Sequence, residues 1–362
     1  MNPDGNQRKM YALALAVLLV AIGAVSAWLI WRPEPSRDTV ATVTPTESAS
    51  MTALPSIVLQ PTPIATDIGA VAMFTTVVYY QDNYGYLVPV ARTIRAETGV
   101  AKATLNLMVQ SVYNDMEAAR LGLRTVIPEK TTFDLDIADG VARIDLSAEA
   151  LNCADAQAER NMVDAIVQTL TCFDTVDCVR FLVNGQNRET LRNGTSVKGD
   201  FLRKTLNPET DDVGDSAVML YFTGDSPSMI VPVTRAVYGK ADVATAVLEL
   251  VKGPSTESPL EGVIPSGCGL IGVEVKNGVA KVNFTRDFIR IAENSDGGRM
   301  AMKALSLTCS QFDGVKKVEI LVEGQAYDPG MGTLAMPTFV NSAGDIYDAF
   351  IQERSRELFD FE

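Results

Sequence analysis

The chain has 362 residues, a formal net charge of −14 and no histidine. An acidic chain with no basic stripe argues against nucleic-acid binding, which works by neutralising phosphates. The missing histidine excludes Ser-His-Asp and Cys-His nucleophile systems and His-containing zinc sites within the chain.

The length admits an anchor and two ordinary domains. Residues 1–10 are polar, with Arg8 and Lys9 beside an uncharged run from Tyr11 to Trp31. About 20 residues cross a bilayer as a helix, so residues 11–31 are expected to form a transmembrane anchor. Residues 1–10 then lie in the cytoplasm, in a single-pass cell-membrane protein with its C-terminal domains extracytoplasmic. The competing reading is a cleaved signal peptide with Val25-Ser26-Ala27 as the small-residue site. Residues 32–73 read as a disordered linker, rich in Pro, Ser and Thr, that holds the folded part at a distance.

A first folded domain spans 74–210. Thr75–Tyr80 and Tyr86–Ile94 read as strands, with Pro89 marking an edge or irregularity. Val100–Val112 has helical spacing, as does Asp155–Phe173. Val179–Asn184 closes the domain as a strand. A second domain, 215–342, repeats the order: strands Val218–Phe222 and Met229–Ala236, a helix Val243–Val251 stopped by Gly253-Pro254, a helix Gly298–Thr308 and a strand Val318–Glu323. Residues 343–362 form a tail, with helical spacing over Asp345–Phe361.

Between the helices of each domain lies a tight hairpin. Asn277-Gly278 supplies a two-residue type I′ turn, so Val275 pairs Ala280, Glu274 pairs Lys281, Val273 pairs Val282 and Ile271 pairs Phe284. One face is then apolar, and Glu274 and Lys281 form an ion pair on the other. Asp139-Gly140 repeats the device, with Phe133, Leu135, Ile137, Ala142, Ile144 and Leu146 on one face and Asp136 opposite Arg143. Val88-Pro89-Val90 matches Val231-Pro232-Val233, Ile127-Pro128 matches Ile264-Pro265, and Gly185-Gln186 matches Gly324-Gln325. The chain is a tandem repeat.

Candidate chemical groups are few. Asp134, Asp136 and Asp145 cluster on the first hairpin, where paired carboxylates do acid–base work or hold a cation; a solvated sheet face is the competing reading. Arg92 and Arg235 recur at matched positions, as anion clamps or structural ion pairs. Tyr79, Tyr80, Tyr84 and Tyr86 could form a stacking platform, although the matched region holds only Tyr221 and Phe222. Asn193-Gly194-Thr195 and Asn283-Phe284-Thr285 match a glycosylation pattern. Of the five cysteines, Cys172–Cys178 and Cys268–Cys309 are the candidate disulfides and Cys153 is left over, against the alternative of unpaired thiols. No catalytic, cofactor or metal residue is assigned.

The order VPVTRAV, ELVKGP, GVIPSGCGL, VKNGVAKVNFTRDF and VEILVEGQ in the second domain, with LVPVARTI, TVIPEKT, DGVARIDLS and VRFLVNGQ in the first, resembles the GerM (GerMN) domain family of spore-forming bacteria. The resemblance covers residues 74 to 340. It implies an α/β fold class: two tandem small α/β domains, each with a mixed sheet containing a central β-hairpin and two helices. It also implies a role in sporulation or germination, with participation in a ring-like complex. Family members are often lipoproteins, and this sequence lacks the lipid-attachment cysteine. The expected function is a non-enzymatic assembly component acting through domain–domain or ring-type association. Its expected partners are other sporulation-complex or envelope proteins, or a second copy of the chain. The alternative is a binding module for peptidoglycan or peptide.

Overall fold

The computed structural model describes residues 72–96, 99–209, 214–224, 228–293, 295–328 and 337–344. They all fall in one of the chain's two units, Met51–Glu362. Two modules of one design follow each other. The first begins with a two-stranded hairpin, β1 (Met73–Gln81) and β2 (Leu87–Arg95). Helices α1 (Val100–Asn106) and α2 (Val112–Ala119) follow. A separate four-stranded sheet has the order β3-β4-β5-β6, from β3 (Phe133–Ala138), β4 (Val141–Leu146), β5 (Cys178–Val183) and β6 (Asp200–Leu202). Strands β4 and β5 are parallel, and α3 (Ala156–Leu170) makes the crossover that a parallel pair requires. The second module repeats this with hairpin β7 (Ser216–Thr223) and β8 (Ile230–Val237), α4 (Val243–Lys252), β9 (Leu270–Lys276), β10 (Val279–Phe284), α5 (Ser295–Ser310), β11 (Lys317–Val322) and β12 (Gln325–Ala326). Its sheet order is β12-β11-β10-β9.

The tandem α/β architecture is the expected one, with one change. The opening hairpin of each module does not join the mixed sheet but forms a second sheet of its own. The crossover helix lies between the two, so α3 packs on β1 and on β5, and α5 packs on β7 and on β11. A helix packed between two sheets needs a wide apolar face. Accordingly α3 buries Met162, Val163, Ala165, Ile166, Val167 and Leu170.

Local chemistry explains several element ends. Asp155 caps α3 by accepting from Ala158 N at 2.8 Å, and Asp242 caps α4 by accepting from Thr245 N at 2.8 Å. The hairpin turns have the positive φ pairs of type I′: 50° and 77° at Asp139-Gly140, 53° and 79° at Asn277-Gly278. Asn184-Gly185 and Glu323-Gly324 form two more such turns, with φ of 51° and 72° and of 50° and 78°. They lead into the bridge from Val183 to Gln186 and into strand β12.

Several expectations are corrected. The helix expected over Val100–Val112 stops at Asn106, and a second helix starts at Val112 and runs to Ala119. Ser111 Oγ accepts from Asn114 N at 3.1 Å and starts α2, while Val109 bridges Ile127 and draws the chain out of helical form. The first hairpin keeps its predicted register throughout, but the second does not. A bulge between Asn283 and Phe284 pairs Phe284 with Leu270, so Ile271 turns to solvent, 51% exposed. Lys281 pairs with Glu319 of β11, Nζ to Oε2 3.8 Å, rather than with Glu274. All five cysteines are free thiols, so neither candidate disulfide forms.

The expected single-pass membrane placement is also corrected. Among the described residues no helix is long and apolar enough to cross a membrane. The longest, α5, has 16 residues, short of the ~20 a span needs. The anchor expected at residues 11–31 and the tail helix at 345–361 lie outside the described residues, as does the linker up to residue 71.

Candidate functional site

The two modules meet along the outer edges of β2 and β8. Each strand has a proline as its third residue, Pro89 and Pro232, which lacks an N–H and cannot extend a ladder. Two asparagines bridge the edges instead. Asn341 Oδ1 accepts from Ile230 N at 2.9 Å, and its Nδ2 donates to Ile230 O at 2.7 Å and Pro89 O at 3.0 Å. Asn207 does the same from the other side: Oδ1 accepts from Leu87 N at 2.9 Å, and Nδ2 donates to Leu87 O and Pro232 O, both at 2.8 Å. The backbone follows suit, Ala91 N donating to Asn341 O at 2.8 Å and Thr234 N to Asn207 O at 3.1 Å. The arrangement is a pseudo-two-fold exchange in which the segment after each module staples its own hairpin to the other. Sequence reasoning missed both asparagines. The faint signal was an apolar residue followed by Asn behind each repeat, Leu206-Asn207 and Val340-Asn341.

Beside the staples lies a cavity of about 50 Å³ lined by Tyr79, Cys172, Arg203, Tyr221 and Asn341, among others. Arg203 Nη2 donates to Tyr79 Oη at 2.8 Å, and Nη1 lies 3.3 Å from Cys172 Sγ and 3.4 Å from Gln168 O. Among the described residues no carboxylate pairs with Arg203. The C-terminal carbonyls of α3 supply part of the negative charge it lacks. Burial pushes the Tyr79 and Tyr221 phenols far above their usual range, so both stay neutral.

A larger, polar cleft of about 730 Å³ opens on the first module, between the β1–β2 turn, α3 and the segment 205–208. Tyr84 is 51% exposed at its rim. A hydrogen-bonded row runs along one wall: Arg160 Nη2 to Gln157 Oε1 at 2.7 Å, Gln157 Nε2 to Asn161 Oδ1 at 2.8 Å, and Asn161 Nδ2 to Gly85 O at 2.9 Å. Asp164, one turn on from Arg160, lines the same wall. Burial raises its carboxyl above the ordinary value, with Lys204 and Arg160 opposing the shift.

The predicted candidates scatter. Tyr79 and Tyr80 are buried, so the four-tyrosine platform reduces to Tyr84 and half-buried Tyr86, whose hydroxyl meets Ser258 Oγ at 3.2 Å. The Asp134–Asp145 pair is in register across the hairpin, but the two have separate structural partners. Asp134 contacts Lys102 at 3.4 Å, and Asp145 Oδ1 accepts from Gly185 N at 2.8 Å. Asn283 performs that second task in the other module, accepting from Gly324 N at 2.9 Å. This position is therefore shared between the repeats, as a turn acceptor.

Both recurrent arginines are structural. Arg235 forms a fork on Glu209, with Nε–Oε2 at 2.5 Å and Nη2–Oε1 at 3.0 Å, and also reaches Glu249 and Gly253 O. Arg92 Nη2 lies 3.3 Å from Glu117 Oε2. The Asn193-Gly194-Thr195 loop is tied inward. Fully buried Glu159 accepts from Asn193 N at 2.8 Å and Thr195 N at 2.9 Å, and Asn193 Nδ2 donates to Cys153 O at 3.3 Å.

Two copies of one α–β module, stapled through their opening hairpins, define a tandem-domain protein. The sequence model of the Germane family, described as sporulation and spore germination, matches residues 77–189 and 219–328, one match in each copy. The chain belongs to this family. It is 29% identical over 262 residues to the spore germination protein GerM of Bacillus subtilis, covering 68% of this chain and 71% of that protein. The solved tandem GerMN domains of the sporulation protein GerM from Bacillus subtilis superpose with a TM-score of 0.62 at 27% identity, over 75% of this chain and 99% of that one.

Proposed function

We propose that the chain is a non-enzymatic structural or assembly component of sporulation or spore germination. It works through association of its modules, in a ring or other array, with further copies of itself or with other proteins of that process. The observation that carries this reading is the seam. Because β2 and β8 bond to each other's flanking segments, the two modules are held as one block. One outer strand of each mixed sheet, β3 in the first module and β9 in the second, is a full-length edge of that block, the opposite edges being the short strands β6 and β12. An edge strand carries unpaired N–H and C=O groups that template pairing with another chain. On β9 the bulge turns Ile271 outward, 51% exposed, and Val275 near the hairpin turn is 47% exposed. The non-enzymatic part rests on the absence of histidine and on the structural tasks of Asp134, Asp145, Arg92 and Arg235.

Sedimentation of the full chain against the Ile271→Lys, Val275→Lys double variant tests the assembly reading, together with cross-linking in sporulating cells. Concentration-dependent association, or a cross-linked partner, that the double variant loses is the expected result. A wild-type chain that stays monomeric and cross-links to nothing would sink it.

A second reading, a binding module, is favoured by one observation. The cleft of about 730 Å³ beside Tyr84 and Tyr86 falls within the ~300–1,000 Å³ typical of ligand sites.

A further inference from the structure

The cleft on the first module says what kind of ligand suits it. Its lining holds one cation, Arg160, and one anion, Asp164, and the charge of Lys204 also acts on Asp164, in a chain whose net charge is −14. A wall that sets its one carboxylate against these cations and otherwise offers the uncharged Gln157, Asn161, Gln168, Thr205 and Asn207 is built mainly from neutral polar groups rather than for an ionic ligand. It selects one that is polar, neutral and rich in hydrogen-bonding groups. The row from Arg160 through Gln157 and Asn161 to Gly85 fixes these side chains before any ligand arrives, which lowers the entropy cost of binding. The half-exposed Tyr84 ring supplies a flat apolar surface at the rim.

The Asp164 carboxylate has no hydrogen bond or ion pair among the described residues. A partly desolvated carboxylate without donors is costly, and ligand hydroxyls or amides would satisfy it.

A peptide fits less well. The backbone edge nearest the cleft is β2, and its Leu87 N and O are both taken by Asn207. A peptide cannot add there as a strand, so recognition falls to side chains. The site is also not duplicated. Tyr84 and Tyr86 correspond, at the spacing of the two prolines, to Pro227 and Met229. The lining offers a single carboxylate, whereas glycoside cleavage ordinarily uses a pair, so the chemistry favours holding over cutting.

We propose that this cleft binds a neutral glycan strand bearing hydroxyl and acetamido groups, with Tyr84 stacking on a sugar face and Arg160 and Asp164 bonding its polar edge. The inference rests on the binding-module reading and is independent of the assembly reading.

The test titrates the full chain with tetra-N-acetylchitotetraose and, separately, with an uncharged tetrapeptide, followed by calorimetry. Binding of the sugar, weakened about ten-fold or more by Tyr84→Ala and by Asp164→Asn, is the expected result. Arg160→Ala serves as a further variant, and circular dichroism checks the fold of each. Sugar binding that survives all three substitutions in folded protein would overturn the site. Binding of the peptide alone would overturn the glycan assignment while leaving a binding module. Binding of neither would overturn both.

Discussion

Replacing Asn341 by alanine tests the seam. The side chain is 2% exposed and holds Ile230 N, Ile230 O and Pro89 O. Each buried polar group left without a partner costs about 1–3 kcal/mol, so three set an upper bound near ~9 kcal/mol. Asn341 also lines the small cavity of about 50 Å³, which has room for water to replace part of what is lost. The expected net cost is therefore about 3–5 kcal/mol. At ~2–4 °C per kcal/mol for a chain of this size, the melting temperature should fall by roughly 6–20 °C.

Thermal unfolding followed by circular dichroism measures this. Hydrogen exchange should show the Ile230 and Ala91 amides losing protection while the β3–β4 and β9–β10 hairpins keep theirs. Asn341→Leu keeps the volume and removes the hydrogen bonds, so it should fall as far as alanine. If either variant melts within about 1 °C of the wild type, or if leucine restores what alanine loses, the seam is held by packing and the reasoning fails.

Arg235→Ala should cost about 3–5 kcal/mol, because it leaves Glu209, whose side chain is 3% exposed, without its fork partner; a urea midpoint shift at constant slope measures it, and Arg235→Leu with Glu209→Leu should recover most of the loss. The Asp242 carboxyl is held below its ordinary value by the Thr245 N–H. Its contribution, no more than about 1 kcal/mol after solvent screening, is therefore present above the unfolded pKa of about 3.9 and is lost as pH falls through the folded value. Asp242→Asn keeps an equally good cap, so it should match the wild type at pH 7 and show a flatter acid limb in denaturation scans.

The repeat and most of its elements were legible because their causes are local. Asn277-Gly278 and Asp139-Gly140 specify turns through their own tolerance of positive φ. Asp155 starts its helix through a bond three residues along. The candidate site was less legible. Tyr84 and Tyr86 stood out as aromatic residues, but Tyr79 and Tyr80, equally visible, are consumed by the core. Arg160 and Asp164 drew no reading from the sequence, and only the turn at Gly85 and the segment 205–208 make their helix face a wall.

What the sequence by itself determined was the module, because turn chemistry, capping and alternation act within a few residues of their cause. The outward turn of Ile271 needed the whole sheet, although Gly272 in mid-strand is the kind of residue that marks a bulge. The joining of the modules was decided by tertiary structure alone. Asn207 acts on Leu87 from 120 residues away and Asn341 on Pro89 from 252. An asparagine amide suits a turn, a cap or a surface equally well. Its task as a staple exists only once two proline-interrupted edges have been brought to within its reach.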